Sequence, residues 1–232
     1  MQISRDGENP ELLLLHKELA AEYDLTEMSC TFGGCSFSFL SVRDSYALLD
    51  RISPEEFVKD EQMPYWAEIW PSAITLSTFL ADELSLNQLR VIEIGAGVGM
   101  VSVVAASRGA SVLATDYSLE ALRFARYNAL KNGVPLACQR LDWRLVQCNE
   151  QFDRLFAADV LYERVNLLPI VTAIDKLLKP DGVAYIADPR RSMAEQFLEL
   201  AAENNFAITS MHKKYSGSAQ PVAVNIHKLT RK

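Results

Sequence analysis

The chain predicts an α/β fold: a doubly wound, seven-stranded, mostly parallel sheet with a C-terminal antiparallel β-hairpin, preceded by an N-terminal helix and small β extension. Three observations carry that expectation. Val91-Ile92-Glu93-Ile94 is an apolar run ending in Gly95-Ala96-Gly97-Val98-Gly99, the pattern of a buried strand entering a tight turn, and Met100–Arg108 then starts a helix. The run Ser111–Asp116 reads as the next parallel strand, with a carboxylate at its C-terminal end seventeen residues after Gly99. Finally, strand-like and helix-like runs alternate from Leu89 onward until Phe206–Lys213 and Val222–Leu229, which are joined through Gly217, Ser218 and Pro221 with no room for a helix.

Taken in order, Glu11–Tyr23 has the spacing of an amphipathic helix, and Met28–Leu49 changes to short β-like runs around Gly33-Gly34, a small hairpin or meander. Ser53-Pro54-Glu55-Glu56 is a helix start, with Ser53 as cap and Pro54 in the first turn. A further helix is expected from Pro71 to about Leu84, carrying Ile74, Leu76, Phe79 and Leu80. Strands follow at 89–94, 111–116, 136–141, 152–158 and 183–187, with helices at 119–132, 165–178 and 193–204. Residues 1–60 read as an N-terminal extension and 61–232 as the main domain.

Composition narrows the partners. Nearly half of the 232 residues are apolar, enough for a large core, and the formal charge is −7. Outside Lys213-Lys214 and Arg231-Lys232 no stretch is dense in Lys or Arg, which argues against nucleic acid as a partner and for a basic protein surface or a cationic side chain. Cys30, Cys35, Cys138 and Cys148 lack a C-x-x-C spacing and His16, His212 and His227 are scattered, so no metal is expected and the thiols read as buried and reduced, as in the cytoplasm. Met1–Pro10 has no signal-peptide core, and Leu12–Leu15 is far too short to span a membrane.

The glycine loop selects the ligand. A dinucleotide fingerprint would place its third glycine at position 100, where the chain has Met100; here it comes one residue early, giving Glu93-x-Gly-x-Gly-x-Gly. Glu93, just before the loop, suits a ligand with positive charge and no phosphate. S-adenosyl-L-methionine, with a sulfonium and an ammonium, fits that description. Asp116, at the end of the second strand, can accept both ribose hydroxyls, and Ser118 is free to serve as the helix cap that Asp116 would otherwise be. Tyr117 either packs beside an adenine or simply packs. Asp142 can accept from an exocyclic amine and Trp143 can cover a ring face; the competing reading is an exposed loop acid and a half-buried indole. Ala158-Asp159-Val160-Leu161-Tyr162 follows the fourth strand at the reactive edge, and at i, i+3 Asp159 and Tyr162 are expected on one side of a first helical turn. Trp66 and Trp70 are either core packing or an aromatic wall for a cation.

Together, Trp70-Pro71-x-Ala73-x-x-Leu76-Ser77, Glu93-x-Gly-x-Gly-x-Gly, Asp116, Asp142-Trp143 and Asp159-x-x-Tyr162 resemble the class I, seven-β-strand, Rossmann-like methyltransferases. Within them, the chain resembles the protein-lysine methyltransferase branch that acts on electron-transfer flavoprotein β, calmodulin, chaperones and elongation factors, over roughly Tyr65 to Ala187. The resemblance implies that the last strand inserts between its neighbours. It also implies that Asp159 and Tyr162 are catalytic at the lysine entrance and that Trp70 lies near the cofactor. Asp188-Pro189-Arg190-Arg191 is similar to an Asp-Pro-x-Arg stretch of the flavoprotein enzymes, which puts Arg191 beside substrate, with Trp66 as a second substrate contact. Ser72-Ala73 departs from the glycine pair of that subgroup. The implied partner is a protein lysine, or alternatively a small amine, met by a monomer. Ala158–Tyr162 is not the Asn/Asp-Pro-Pro-Tyr/Phe motif of base-amine methylation.

Overall fold

A computed structural model describes residues 9–51, 63–217 and 220–232; the helix start expected at Ser53 lies outside them. Seven strands build the main sheet: β3 (Arg90–Ile94), β4 (Ser111–Asp116), β5 (Ala137–Arg140), β6 (Phe152–Ala158), β7 (Leu178–Asp188), β8 (Phe206–Tyr215) and β9 (Val222–Arg231). Their order is β5-β4-β3-β6-β7-β9-β8, parallel from β5 to β7, with β9 inserted antiparallel between β7 and β8. β7 begins five residues before the expected 183, because Pro180 cannot continue a helix and the chain turns extended straight after it.

Successive strand residues face opposite layers, as a sheet covered on both sides requires. In β7, Tyr185 and Ala187 join one core with Leu76, Phe79, Val101 and Val104, while Ala184 and Ile186 join the other with Ile170, Ile174 and Phe197. Each such large side chain, fully buried, contributes roughly 1.5–3 kcal/mol. The first core is covered by α2 (Pro71–Glu83) and α3 (Met100–Ser107), the second by α5 (Leu167–Leu177) and α6 (Ala194–Glu203). The chain therefore leaves β3 toward one face and the adjacent β6 toward the other. That divergence opens a crevice at the carboxyl ends of the two strands, where ligands of open α/β sheets bind.

The N-terminal part is α1 (Pro10–Glu22) and a hairpin of β1 (Leu25–Phe32) and β2 (Cys35–Val42), which turns through Gly33 and Gly34. It shares a third core with α4 (Leu119–Lys131), where Leu19, Leu40 and Leu48 meet Val98, Phe124 and Tyr127. On α4 the fully buried Asn128 accepts from the Leu40 N–H at 2.7 Å and donates to the Leu40 and Val98 carbonyls at 3.0 and 2.8 Å. One turn later Asn132 does the same for Ser38, at 3.0 and 2.8 Å. Two amides four apart thus read alternate residues of β2 and tie the hairpin to the glycine loop.

All four cysteines are free thiols, but none is fully buried and Cys35 is exposed at the hairpin turn, which corrects the expectation of buried thiols. Among the described residues no helix is long and apolar enough to cross a membrane.

Candidate active site

The crevice is a cleft enclosing about 1080 Å³, open solvent at its mouth included. Its floor is the loop after β3. Gly95, Gly97 and Gly99 all have positive φ, +68°, +52° and +83°, a region that strains ordinary side chains. Gly95 and Gly97 line the cleft; Gly99 does not, and a Cβ there would meet Ala125 at 2.6 Å, so its role is the close approach of α3 to α4.

Asp116, at the tip of β4, faces this loop. Its Oδ2 accepts from the Gly97 N–H at 2.8 Å and its Oδ1 from the Ser118 N–H at 2.9 Å, while Ser118 caps α4. Its setting raises the carboxyl above the ordinary range, burial outweighing the bonds from Gly97 and Ser118. Glu93 lies below, fully buried in β3, and its Oε2 accepts from the Ser102 N–H at 2.8 Å and hydroxyl at 2.5 Å. Burial pushes Glu93 up to about 8; Ser102 pulls it down and the charge of Asp116 adds to the rise.

One wall is Tyr117, Asp142, Trp143 and Val160. Asp142 caps the short turn Trp143–Leu145 through the Arg144 N–H at 2.9 Å and holds the Arg144 guanidinium, so the structural reading of this acid is realised at the cleft wall. Tyr117 stands under Arg140 at 4.6 Å and Arg144 at 5.3 Å. Trp143 closes over the floor so tightly that a Cβ on Gly95 would lie 3.2 Å from its ring.

The opposite wall is aromatic. The Trp70 indole N–H donates to the Tyr65 carbonyl at 2.8 Å, and the Tyr65 ring stands edge-on to Trp70 at 6.1 Å and to Tyr162 at 5.0 Å. Trp66, by contrast, packs into the N-terminal core against Tyr23 at 6.0 Å and Phe124 at 5.4 Å while also lining the cleft. Core packing is the main work of that indole.

The reactive edge departs from expectation. Asp159 and Tyr162 do not share a helical turn: Asp159 has φ +61°, the chain runs extended to Glu163, and only a short turn at Arg164–Asn166 leads into α5. The cause is tertiary. The Asp159 N–H donates to the Ala187 carbonyl at 2.9 Å, continuing the sheet, and the buried Asp159 carboxylate is held by Arg191 at 2.8 Å from Nε. Arg191 does not line the cleft; it reaches Asp159 from behind. Oδ2 of Asp159 is buried and unpartnered, as are Oδ1 of Asn166, which also lines the cleft, and Oδ2 of Asp188. Burial, then Glu163 and Asp116, raise the Tyr162 hydroxyl above its ordinary value. Ala158 closes the edge between Asp159 and the sheet.

Tyr65, Asn166, Asp188 and Ser102 escaped the sequence reading. Tyr65 adjoins the aromatic stretch and Asp188 opens the Asp-Pro-x-Arg stretch, so both carried a signal; Ser102 and Asn166 carried none.

Comparison with known proteins decides the family. A family profile described as lysine methyltransferase matches residues 57–204. The chain belongs to the lysine methyltransferase family. It is 36% identical over 156 residues to protein-lysine methyltransferase METTL21E of Mus musculus, covering 59% of this chain and 63% of that one. A ubiquinone biosynthesis O-methyltransferase of Haemophilus ducreyi is 28% identical over 65% of this chain and 70% of its own. The chain thus spans less than two thirds of the mouse relative's length. Among solved structures, ribosomal protein L11 methylase from Lactobacillus delbrueckii subsp. bulgaricus superposes with a TM-score of 0.56 at 26% identity, covering 69% of this chain and 78% of that chain. The fold is the Rossmann-like methyltransferase fold that the loop and the terminal hairpin had indicated.

Proposed function

We propose that this protein is an S-adenosylmethionine-dependent protein-lysine N-methyltransferase. The observation that carries the reading is the acidic lining of the cleft: Glu68, Asp116, Asp142, Asp159 and Glu163, with the buried Glu93 at its floor, line it against Arg144 alone among the lining residues. A nucleotide phosphate seeks helix N-termini and cations; this lining favours a sulfonium, an α-ammonium and a lysine ammonium instead. The membership in a lysine methyltransferase family and the likeness to METTL21E support a protein acceptor.

When bound, the cofactor supplies a methyl group on a positively charged sulfur. Asp116 would accept the ribose hydroxyls with the lone pairs that Gly97 and Ser118 leave open, and Gly95 and Gly97 let the ligand lie against bare backbone. Tyr117, Asp142 and Trp143 would border the adenine, Glu93 the cationic end, and Trp70 with Ala158 the approach to the methyl. A sulfonium or ammonium over an aromatic face gains ~0.5–2 kcal/mol with desolvation.

Asp159 would hold the acceptor nitrogen through its unpartnered Oδ2, with Tyr162 fixing its approach from the Tyr65 side. A lysine must first lose a proton, against a free pKa of about 10.4. A carboxylate favours the charged amine, so Asp159 orients and does not act as the base; the proton leaves to water. The neutral nitrogen is then the nucleophile of an in-line displacement, and oriented proximity of this kind is worth ~7–11 kcal/mol. The acidic charge and the free thiols are consistent with a monomer in the cytoplasm that does not act on nucleic acid.

The test is a transfer assay with methyl-labelled S-adenosylmethionine and lysate from cells lacking the gene. Base-resistant label in a discrete protein band, mapping to lysine, is the expected result. Label confined to the small-molecule fraction would overturn the protein acceptor in favour of a small amine.

A further inference from the structure

In the register of the sheet Ala158 pairs with Ala187, so Asp159 and Asp188 follow side by side at the carboxyl edges of β6 and β7. Both are buried, and two like charges so placed oppose each other. Arg191 bridges them. Its backbone N–H donates to Asp188 Oδ1 at 2.8 Å, while its guanidinium spends both Nε, at 2.8 Å, and Nη2 on the one oxygen Oδ1 of Asp159. An arginine meeting a carboxylate commonly spreads over both oxygens; here the second oxygen is left buried and unpartnered. The arrangement is held by two non-glycine residues in the left-handed region, Asp159 at φ +61° and Arg190 at φ +63°. Such strain persists only where its surroundings impose it.

On the reading that this cleft methylates an amine, we propose that Arg191 is the positioning residue of the reaction: it takes Oδ1 of Asp159, leaves Oδ2 for the acceptor nitrogen, and offsets the carboxylate charge so that the amine is not locked in its protonated form. The difficulty it resolves is chemical. A bare carboxylate within hydrogen-bond reach raises the pKa of an ammonium by about 1–3 units, which orients the amine and blocks it from reacting. A carboxylate already paired with a guanidinium keeps its directional acceptor while the pair's net charge is near zero. The other charged and titratable groups about Asp159 are Asp188 on β7, Tyr162 and Glu163 on its own loop, Asp116 on β4, Glu93 on β3 and Tyr65 on the facing turn. Arg144 lines the far wall, tied to Asp142. Arg191 is the cation bonded to Asp159. It donates only N–H groups, so it takes no proton from the amine; that proton goes to solvent.

The experiment compares wild type, Arg191→Gln and Arg191→Lys in label transfer from methyl-labelled S-adenosylmethionine, from about pH 6.5 to about pH 10. The acceptor is the lysate band that the wild type labels, at several lysate dilutions. Arg191→Gln is expected to be ~10-fold slower near neutral pH and to recover to within ~2-fold at the alkaline end, the signature of an acceptor pKa raised by about one unit. Its half-saturating lysate concentration should stay level or fall, because the unpaired carboxylate holds the ammonium more tightly. Arg191→Lys keeps a charge beside Oδ1 but loses the paired grip, so its pH profile should fall between those of wild type and Arg191→Gln, and S-adenosylhomocysteine should bind all three proteins within ~2-fold by calorimetry. An Arg191→Gln profile that superimposes on the wild-type profile after scaling would overturn the role of Arg191. Absence of label from both the protein and the small-molecule amine fractions with the wild type would instead overturn the amine reading on which it rests.

Discussion

The two halves of the cleft are built on opposite principles. On the β3–β4 side the unusual backbone falls on Gly95, Gly97 and Gly99, where positive φ carries little strain, and the acids are already bonded, Asp116 to Gly97 and Ser118 and Glu93 to Ser102. On the β6–β7 side the same backbone region is imposed on Asp159 and Arg190, and oxygens of Asp159, Asp188 and Asn166 are buried without partners. Unmade buried bonds of that kind cost about 1–3 kcal/mol each. The difference teaches that the β3–β4 half is preformed and self-contained and the β6–β7 half strained and incomplete; on the proposed function the first is the cofactor half and the second an acceptor cradle that a cationic side chain would complete.

The largest effect that can break this contrast is on turnover. Asp159→Asn and Tyr162→Phe should each lower methyl transfer ~100-fold or more, the scale expected when a positioning contact of the transition state is lost. Single-turnover transfer measures it; near-normal rates would dissolve the distinction between the halves.

Stability separates the halves next. Gly99→Ala forces a Cβ at φ +83° to 2.6 Å from the Ala125 Cβ, and should destabilise by about 2–4 kcal/mol, seen as a lower melting temperature. Asp159→Asn keeps a residue tolerant of the left-handed region and an amide oxygen that can still accept from Arg191, so it should lose less stability than Gly99→Ala, about 1–2 kcal/mol, despite its loss of activity.

The smallest effect concerns pH. The buried Glu93 carboxyl is raised to about 8, so a cationic ligand, which favours the ionised form, should bind more tightly as pH rises through the window below about 8 and level off above it. Folding has the opposite sign: the contribution of Glu93 is present in full below its unfolded pKa and is lost as pH rises through about 8. Calorimetric titration with S-adenosylhomocysteine across that window checks it, with Glu93→Gln as the flat reference.

The same contrast explains what could be read from the chain. The proposed cofactor half is local: a strand, three glycines forced by φ, and an acid seventeen residues on lie close together in the sequence, so both the fold and the position of Asp116 at the cleft were legible there. The acceptor half is tertiary. Nothing in Ala158–Tyr162 announces a left-handed Asp159, which is imposed by Ala187 and by Arg191, thirty-two residues away, so the helical turn expected from i, i+3 spacing did not form. Arg191 stood out through the Asp-Pro-x-Arg stretch, but its direction, toward Asp159 and away from the cleft lining, depends on how β6 and β7 pair. Trp66 and Trp70 looked alike in the chain; only the packing of Tyr23 and Phe124 against Trp66 separates a core residue from a cleft wall.

The most direct test of the divided cleft measures two quantities on the same preparations of Asp116→Ala and Asp159→Asn: affinity for S-adenosylhomocysteine, and transfer of label to protein lysine at saturating cofactor. Asp116→Ala should weaken binding ~10-fold or more, the scale of lost hydrogen bonds to a charged group. Its transfer should be largely recovered at saturation. Asp159→Asn should bind within ~2-fold of wild type and transfer almost nothing. Loss of cofactor binding in Asp159→Asn, or unchanged binding in Asp116→Ala, would contradict that division.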